Sequence, residues 1–376
     1  MIYKQFKDKK LSALGLGCMR LPVIDGENDK IDEVKTAEMV KYAMEQGINY
    51  YDTAWGYHGG ESERVMGRVL KNYPRESFYL ASKFPGFSEE NVANAKEIFE
   101  KQLEKCQVEY FDFYLFHCVS EMNIEWYLDP KHGLMDFLLQ QKKAGRIKHL
   151  GFSAHAELPT LKRFLSAYGE HLEFGQLQIN WLDWSLQNAK GQVELLKEYN
   201  LPVWVMEPVR GGRLAKLNAN YEGKLNSLIP EYSMPEWAFR FLQTIPEITV
   251  TLSGMSNFEQ LKQNIVTYST QKGLCNEHLA VLEGMAQEII KHETLLCTGC
   301  RYCVDYCPNS IQIPDVINVL NQHDALGEQY ISPSKFDFIE QGKRSTDCIA
   351  CGSCEKVCPQ RLKISKIMEK ANERIK

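Results

Sequence analysis

Two runs of cysteine near the C-terminus share one spacing. CTGCRYCVDYCP begins at Cys297 and CIACGSCEKVCP at Cys348; in each, three cysteines stand three residues apart, a fourth follows four residues later, and proline comes next. The first set is Cys297, Cys300, Cys303 and Cys307, the second Cys348, Cys351, Cys354 and Cys358. Three thiols on one tight loop with a fourth close behind suit a [4Fe–4S] cubane, so the tail has the make-up of a small electron carrier. Zinc is the rival, but its sites usually pair two short CxxC knuckles across a long spacer. Cys18, Cys106, Cys118 and Cys275 join neither set and read as small hydrophobes.

A second group able to do chemistry stands far upstream, where apolar runs stop. NYYDT ends near Asp52 and continues into DTAWGYHGGESE, FYLASK ends in Lys83, and FDFYLFH ends in His117. Any one of these could be a solvated or hydrogen-bonded filler; four titratable groups at successive run ends are harder to dismiss. A tyrosine is a poor acid near neutral pH unless a nearby cation favours its ionised form. Lys83 can supply that charge to Tyr57. Asp52 can pair with Lys83 and keep it charged, and His117 can donate a hydrogen bond to a substrate oxygen.

The runs that must position these groups number eight: SALGLG, NYYDT, FYLASK, FDFYLFH, IKHLGFS, FGQLQIN, PVWVMEP and EITVTLSG. Between them the period changes to that of a helix. In VKTAEMVKYAMEQG, Met39, Val40, Ala43 and Met44 form one stripe, and Gly47 sits where a helix should stop. Eight strand and helix pairs, with no GxGxxG turn after any of the strands, predict an α/β fold, a (β/α)8 TIM barrel with its chemistry at the C-terminal strand ends. The barrel should occupy residues 1–285. Residues 286–376 should form a small, mainly helical ferredoxin-like iron–sulfur domain carrying both cysteine runs.

Composition narrows the classes further. A chain of 376 residues with 44 % hydrophobic content can bury a proper core, and a formal charge of −5 carries none of the basic excess that nucleic acid demands. MIYKQFKDKK has lysines with no apolar run behind them, and no later segment is apolar enough to cross a bilayer, so a cytoplasmic location and no membrane partner are expected. Thiols there stay reduced, which argues against a disulfide framework.

The stretches DTAWGYHGGESE, ASKF, LFH, KKAGRIKHLGFS and QIN resemble, in order and spacing, the aldo-keto reductase superfamily over about residues 1–285. The resemblance implies an NAD(P)H-dependent oxidoreductase acting on a small carbonyl or alcohol. Tyr57 would be the general acid, Lys83 and Asp52 its tuning pair, and His117 the group that orients the carbonyl. VMEPVRGGRLA, EWAFRF, LSGMSN and the cysteine runs resemble more specifically those members that carry a C-terminal ferredoxin domain. By the same resemblance Ser153 and Gln178 match positions that hydrogen-bond the nicotinamide carboxamide, although Ala154 stands where asparagine is usual and Met206 where a tyrosine usually stacks.

The phosphate end falls in LSGMSNFEQLKQN, which holds Ser253, Gly254, Ser256, Asn257 and Asn264. Ser256 followed three residues on by Glu259 reads as a capping box opening a helix whose N-terminus could receive a phosphate. Asn257 occupies the place where NADPH-preferring members usually put a cation, so NADPH against NADH stays open. In VRGGRLAKLNAN, Gly211 and Gly212 would let backbone approach a ligand, while Arg210 and Arg213 lie either within reach of a pyrophosphate or out in solvent. Trp55, Phe84, Phe87 and Trp181 follow strand ends, as substrate-pocket lining or as core cover.

In two-cluster ferredoxins the fourth cysteine of each run serves the other cluster, which would group Cys297, Cys300, Cys303 and Cys358 at one centre and Cys348, Cys351, Cys354 and Cys307 at the other. A nicotinamide gives two electrons at once and a cluster passes one. Three readings accommodate that mismatch. The first is a carbonyl reductase using NADPH or NADH whose two 4Fe-4S clusters exchange electrons with an external carrier or serve structure. The second is an FMN-containing, ferredoxin-linked reductase in which flavin splits the pair. The third is a non-catalytic electron-transfer or redox-sensing module.

Overall fold

The structure is a computed structural model that describes residues 1–292, 295–326 and 331–375. Two compact units emerge: Met1–Val209 with Leu214–Ala286, and Arg210–Arg213 with Gln287–Lys376. The first unit opens with an antiparallel hairpin, β1 (Tyr3–Phe6) and β2 (Lys9–Ser12). Eight parallel strands follow: β3 (Leu14–Gly17), β4 (Tyr50–Asp52), β5 (Tyr79–Phe84), β6 (Phe111–Val119), β7 (Ile147–Ala154), β8 (Gly175–Gln178), β9 (Val203–Met206) and β10 (Ile248–Ser253). They form a closed barrel, completed where Thr251, Leu252 and Ser253 of β10 pair with Leu14, Gly15 and Leu16 of β3. Each expected apolar run supplies one strand. The hairpin was not among them, since its lysines hide the apolar positions that do its work.

Those positions are Phe6 and Leu11, which join Tyr50, Ala81, Phe113, Leu115, Phe174, Trp204, Val250 and Leu252 in one buried cluster. Phe6 meets Trp204 edge-on at 5.2 Å between ring centres, and Phe174 lies 4.7 Å from the same ring. Gly151 is where it is because a Cβ there would come within 2.4 Å of the Phe174 ring. Successive strand residues alternate faces, so residues two apart share one face. Moving two residues along the chain from the cluster leads from Tyr50 to Asp52, from Ala81 to Lys83 and from Leu115 to His117. An apolar floor thus continues upward into a polar rim.

The expected stripe after β3 falls on the helix Glu33–Glu45, opened by Asp32, whose carboxylate accepts from Lys35 N at 3.0 Å. Met39, Val40 and Ala43 are buried while Met44 is half-buried. The chain turns away at Gly47, φ 89°. Among the described residues no helix is long and apolar enough to cross a membrane.

The second unit is mainly helical. Ile313–Leu326 and Ile364–Arg374 are its longer helices beyond the one that begins at Asn276, and Val316, Ile317, Leu320, Phe336, Ile364, Ile367 and Met368 form its core. Its two cysteine loops repeat one backbone course. Gly299 (φ 65°) corresponds to Ala350 (53°), Arg301 (66°) to Gly352 (71°), and Ser310 (50°) to Arg361 (54°). The short helices Tyr302–Asp305 and Ser353–Lys356 follow the same turn in each.

Candidate active site

Asp52 pairs across the sheet with Ala81, two residues before Lys83, which sets both side chains on the inner face at the upper end of the barrel. Lys83 Nζ donates to Asp52 Oδ1 at 2.6 Å, to the Thr53 carbonyl at 2.8 Å and to Tyr57 Oη at 3.2 Å. None of the Lys83 side chain reaches solvent. Tyr57 begins a tight turn in which His58, Gly59 and Gly60 all take positive φ (54°, 63° and 94°). For His58, which has a Cβ, that conformation is costly. Its ring compensates: Nε2 accepts from Leu21 N at 3.1 Å and Nδ1 faces the Asn28 carbonyl at 2.5 Å.

Burial sets the ionisation of this group. It pushes Asp52 up from the ordinary carboxylate value even against the adjoining ammonium. Burial also pulls Lys83 down, but Asp52 and Tyr57 together outweigh it and carry the ammonium up. The two directions pull opposite ways on whether the pair is ionic; the 2.6 Å contact and the second acceptor on Thr53 favour a charged ammonium. Tyr57 is pushed up to about 12, because burial exceeds the opposing pull of Lys83. Lys83 acts on Tyr57 in the expected direction, but it does not bring the phenol below its ordinary range as the sequence suggested.

His117 ends the inward series on β6. Its ring lies edge-on to Tyr57 at 6.0 Å and to Phe87 at 5.1 Å. Burial, with the Lys83 charge behind it, holds the imidazole well below its ordinary value, so it is neutral at physiological pH. The strand shifts register between Phe116 and Val119, and Cys118 takes φ 57° there. Side chains hold that irregularity in place: Tyr127 Oη donates to the His117 carbonyl at 2.7 Å, Ser153 Oγ accepts from Cys118 N at 2.8 Å, and Asn123 Nδ2 donates to the Cys118 carbonyl at 3.0 Å. Phe84 and Trp181 are buried cover, and Phe87 is half-buried beside His117.

Around the same rim lie the other expected contacts. Ser153 (β7) and Gln178 (β8) are buried, and Gln178 Nε2 donates to Asp183 Oδ2 at 2.7 Å. Met206 closes β9 half-buried, with Gln176 Nε2 3.7 Å from its sulfur. Asn264 Nδ2 donates to Ser253 Oγ at 3.1 Å, and Gly254, Ser256 and Asn257 are exposed. The helix Phe258–Thr267 is capped by Asn257, whose side chain accepts from Gln260 N at 3.0 Å, and not by Ser256. Ser256 Oγ donates instead to the Arg20 carbonyl, while Gln260 Oε1 accepts from Ser256 N. The expected Ser256 and Glu259 capping box is therefore corrected by one residue: both Ser and Asn can cap, and the extended Asn257 is the one adjoining the first helical turn.

Gly211, Gly212 and Arg213 belong to the segment that groups with the second unit. There Arg210 donates to the Leu296 carbonyl and to Gln360 Oε1, each at 2.8 Å, and Arg213 donates to the Leu295 carbonyl at 3.2 Å. Gly211, at φ 64°, has no room for a Cβ, which would fall 1.8 Å from the Thr298 carbonyl oxygen. Arg210 is buried and Arg213 half-buried, and both donate to backbone carbonyls just ahead of the first cysteine loop.

A buried polar cluster that sequence reading missed stands behind Lys83. Glu63, wholly buried, accepts from Ser82 Oγ and Gln102 Nε2, each at 2.6 Å, and from Lys105 Nζ at 2.9 Å. Gln102 also donates to the Lys83 carbonyl at 3.0 Å and accepts from Tyr114 Oη at 2.5 Å.

In the second unit two small cavities gather the cysteines. One is lined by Cys297, Cys300, Cys303 and Cys358, the other by Cys348, Cys351, Cys354 and Cys307. Each run thus sends its fourth cysteine to the other set. Gly299 N donates to Cys297 Sγ at 3.3 Å and Ala350 N to Cys348 Sγ at 3.4 Å. The four sulfurs line a space rather than meet at a point, and among the described residues no three His, Cys, Asp or Glu side chains group closely enough to hold one metal ion. That donor set fits a cubane, which holds its cysteines farther apart than a lone tetrahedral ion does.

The comparisons agree with both halves. The aldo/keto reductase family model matches residues 13–273, and a 4Fe-4S dicluster domain model matches residues 296–362. A probable aldo-keto reductase 1 of Glycine max is 29 % identical over 211 residues, 54 % of this chain; the match spans only 57 % of the length of that relative. The NADH-specific methylglyoxal reductase of Escherichia coli strain K12 is 24 % identical over 304 residues, covering 69 % of this chain and 90 % of that one. Among solved structures, the holo form of an aldo-keto reductase from Bacillus halodurans superposes with TM-score 0.62 at 24 % identity, over 76 % of this chain and 96 % of that chain. This chain belongs to the aldo/keto reductase family, as an oxidoreductase whose barrel is followed by a 4Fe-4S domain.

Proposed function

We propose that the barrel reduces a small-molecule carbonyl, or oxidises the matching alcohol, with NADPH or NADH. The observation that carries this reading is the Lys83 ammonium, bonded at once to Asp52 and Tyr57 in a buried position, with the His117 ring beside Tyr57. A reduced nicotinamide, when bound, supplies the hydride. Tyr57 stays protonated at neutral pH and holds its proton at Oη for the carbonyl oxygen. Lys83 stabilises the phenolate that this transfer leaves, and Asp52 keeps Lys83 charged. The neutral His117 donates one N–H to the same substrate oxygen.

Ser153 and Gln178 suit the carboxamide of that cofactor: the Ser153 hydroxyl already accepts from Cys118 N and has its own proton to give, and the Gln178 carbonyl is an acceptor for an amide. Met206 offers a polarizable surface in place of an aromatic face. Ser253, Gly254, Ser256, Asn257 and Asn264 would take the phosphate end, with Asn257 in the place where a cation would hold a 2′-phosphate. The two cysteine sets would each hold one [4Fe–4S] cluster, able to pass single electrons to an external carrier. Cluster-loaded protein should oxidise NADH or NADPH on adding an aldehyde, and Tyr57→Phe should lose about 10²–10⁴-fold of that rate, the usual worth of a positioned acid. Undiminished turnover in Tyr57→Phe would remove Tyr57 from the mechanism, and flavin fluorescence in a heat-released supernatant would replace the nicotinamide-only reading.

A further inference from the structure

We propose that Lys105 is a positioning residue for Tyr57, acting through the indole ring of Trp55. This inference rests on the proposed reductase reading, and its grounds lie in a part of the barrel that the reaction itself does not use.

Lys105 sits at the end of the helix Ala95–Cys106, yet its ammonium turns inward rather than to solvent. It touches two things. One is Glu63 Oε2 at 2.9 Å, a carboxylate with no exposed surface, and the other is the face of Trp55, 3.8 Å from the ring centre. A buried carboxylate that already holds Ser82 and Gln102 is an anchor that does not drift, so the ammonium it grips has a fixed place. The backbone of that helix end is fixed as well: a Cβ on Gly67, in the helix Glu61–Leu70, would strike the Lys105 carbonyl oxygen at 2.4 Å. Lys105 Nζ also lies 3.9 Å from where a Gly60 Cβ would be, at the far end of the turn that begins with Tyr57.

Trp55 precedes Tyr57 by two residues, and cation–π attraction holds its ring against Lys105. The turn bearing Tyr57 is therefore gripped on both sides, by the His58 ring on Leu21 and Asn28 and by Lys105 on Trp55. A turn with three consecutive positive φ values does not hold itself in place. With the Lys105 grip gone, Tyr57 Oη loses its fixed 3.2 Å distance from Lys83 Nζ.

The test uses full-length, cluster-loaded protein with 4-nitrobenzaldehyde as probe substrate, comparing Lys105→Met, Lys105→Arg and Trp55→Leu. Trp55→Leu removes the ring and leaves the Glu63 pair intact, which covers the case in which Lys105→Met does not fold. Two readouts are taken: kcat, and the alkaline titration of Tyr57 from tyrosinate absorbance after subtracting the Tyr57→Phe protein. Lys105→Met and Trp55→Leu should each lower kcat by about tenfold or more, and Tyr57 should titrate closer to an ordinary phenol as its turn opens to water. Lys105→Arg should restore both. Unchanged kcat and titration in Trp55→Leu overturn the proposal, as does an equal loss in Lys105→Arg and Lys105→Met that only tracks a fall in Tm. If the parent protein does not reduce the aldehyde while the titration still shifts, the reductase reading fails and the positioning of Tyr57 stands.

Discussion

Removing the charge of Lys83 should separate the stability of this barrel from its chemistry. Lys83→Met leaves the Asp52 carboxylate buried with no cation, and among the described residues Asp52 Oδ2 already has no hydrogen-bond partner. Breaking a buried ion pair from one side costs about 3–5 kcal/mol. At roughly 2–4 °C per kcal/mol for a unit of this size, Tm should fall by about 6–20 °C. Turnover should fall by about 10²–10³-fold, the usual worth of a preorganised charge at the reacting centre. Asp52→Asn in the same chain removes the uncompensated carboxylate, so Tm should recover most of the loss while turnover stays low. Thermal melts by ellipticity and steady-state rates on the two single variants and the double variant complete the cycle. A double variant that regains activity with its Tm would show that Lys83 matters only as the partner of Asp52, and the chemical role given to it would be wrong.

The pH dependence has a definite sign. Carbonyl reduction needs neutral Tyr57 and neutral His117; with Tyr57 near 12 and His117 held well below its ordinary value, the rate should be flat from pH 7 to 9 once the effect of pH on the nicotinamide is removed. Alcohol oxidation needs Tyr57 ionised and should climb by about tenfold per pH unit through that range, as stopped assays in both directions would record. In the second unit, Cys358→Ser should abolish the same EPR signal as Cys303→Ser, and Cys307→Ser the same as Cys354→Ser, each halving the bound iron; a pairing within each run would give the opposite grouping. Phe113→Ala should destabilise the first unit by about 3–5 kcal/mol in urea titrations, because it opens a hole among Phe6, Tyr50, Phe174 and Trp204. Asn257→Arg should raise the preference for NADPH over NADH in competition assays and lose about 1 kcal/mol with the cap to Gln260.

The parts of this molecule legible in its sequence are those where one physical rule acts alone. Burial on both faces makes a parallel strand apolar along its length, so all eight barrel strands could be read. Covalent spacing makes a cluster ligand set periodic, so both cysteine loops could be read; the exchange of Cys307 and Cys358 is an expectation from the likeness to two-cluster ferredoxins, not from the spacing. The inward alternation that carries Tyr50 to Asp52, Ala81 to Lys83 and Leu115 to His117 needs only strand ends, so these three rim residues could be read; Tyr57 stands in the turn beyond the strand and is reached through the stretch DTAWGYHGGESE and its family resemblance. Where two rules competed, reading failed by a small step or altogether. Ser256 and Asn257 are adjacent residues of equal capping power, and nothing short of the backbone course chooses between them. In the hairpin Tyr3–Ser12 the lysines mask a period of two.

The cluster of Glu63, Gln102 and Lys105 shows the deeper reason. On a helix the default place of a glutamate, a glutamine or a lysine is the solvated face, and Glu61 and Glu63 look alike in sequence. Only one of them is buried. What distinguishes Glu63 is the simultaneous arrival of Ser82 from β5 and of Gln102 and Lys105 from a helix some forty residues on, and no local pattern encodes that meeting. One trace of it does stand in the sequence. Gly67 sits inside the helix Glu61–Leu70 that carries Glu63, where glycine costs helix stability unless another backbone must come close; the backbone that does is that of Lys105. Buried polar networks therefore leave their mark on the small residues that admit them more than on the charged residues that form them, and the unexplained glycine is the place to look for the next one.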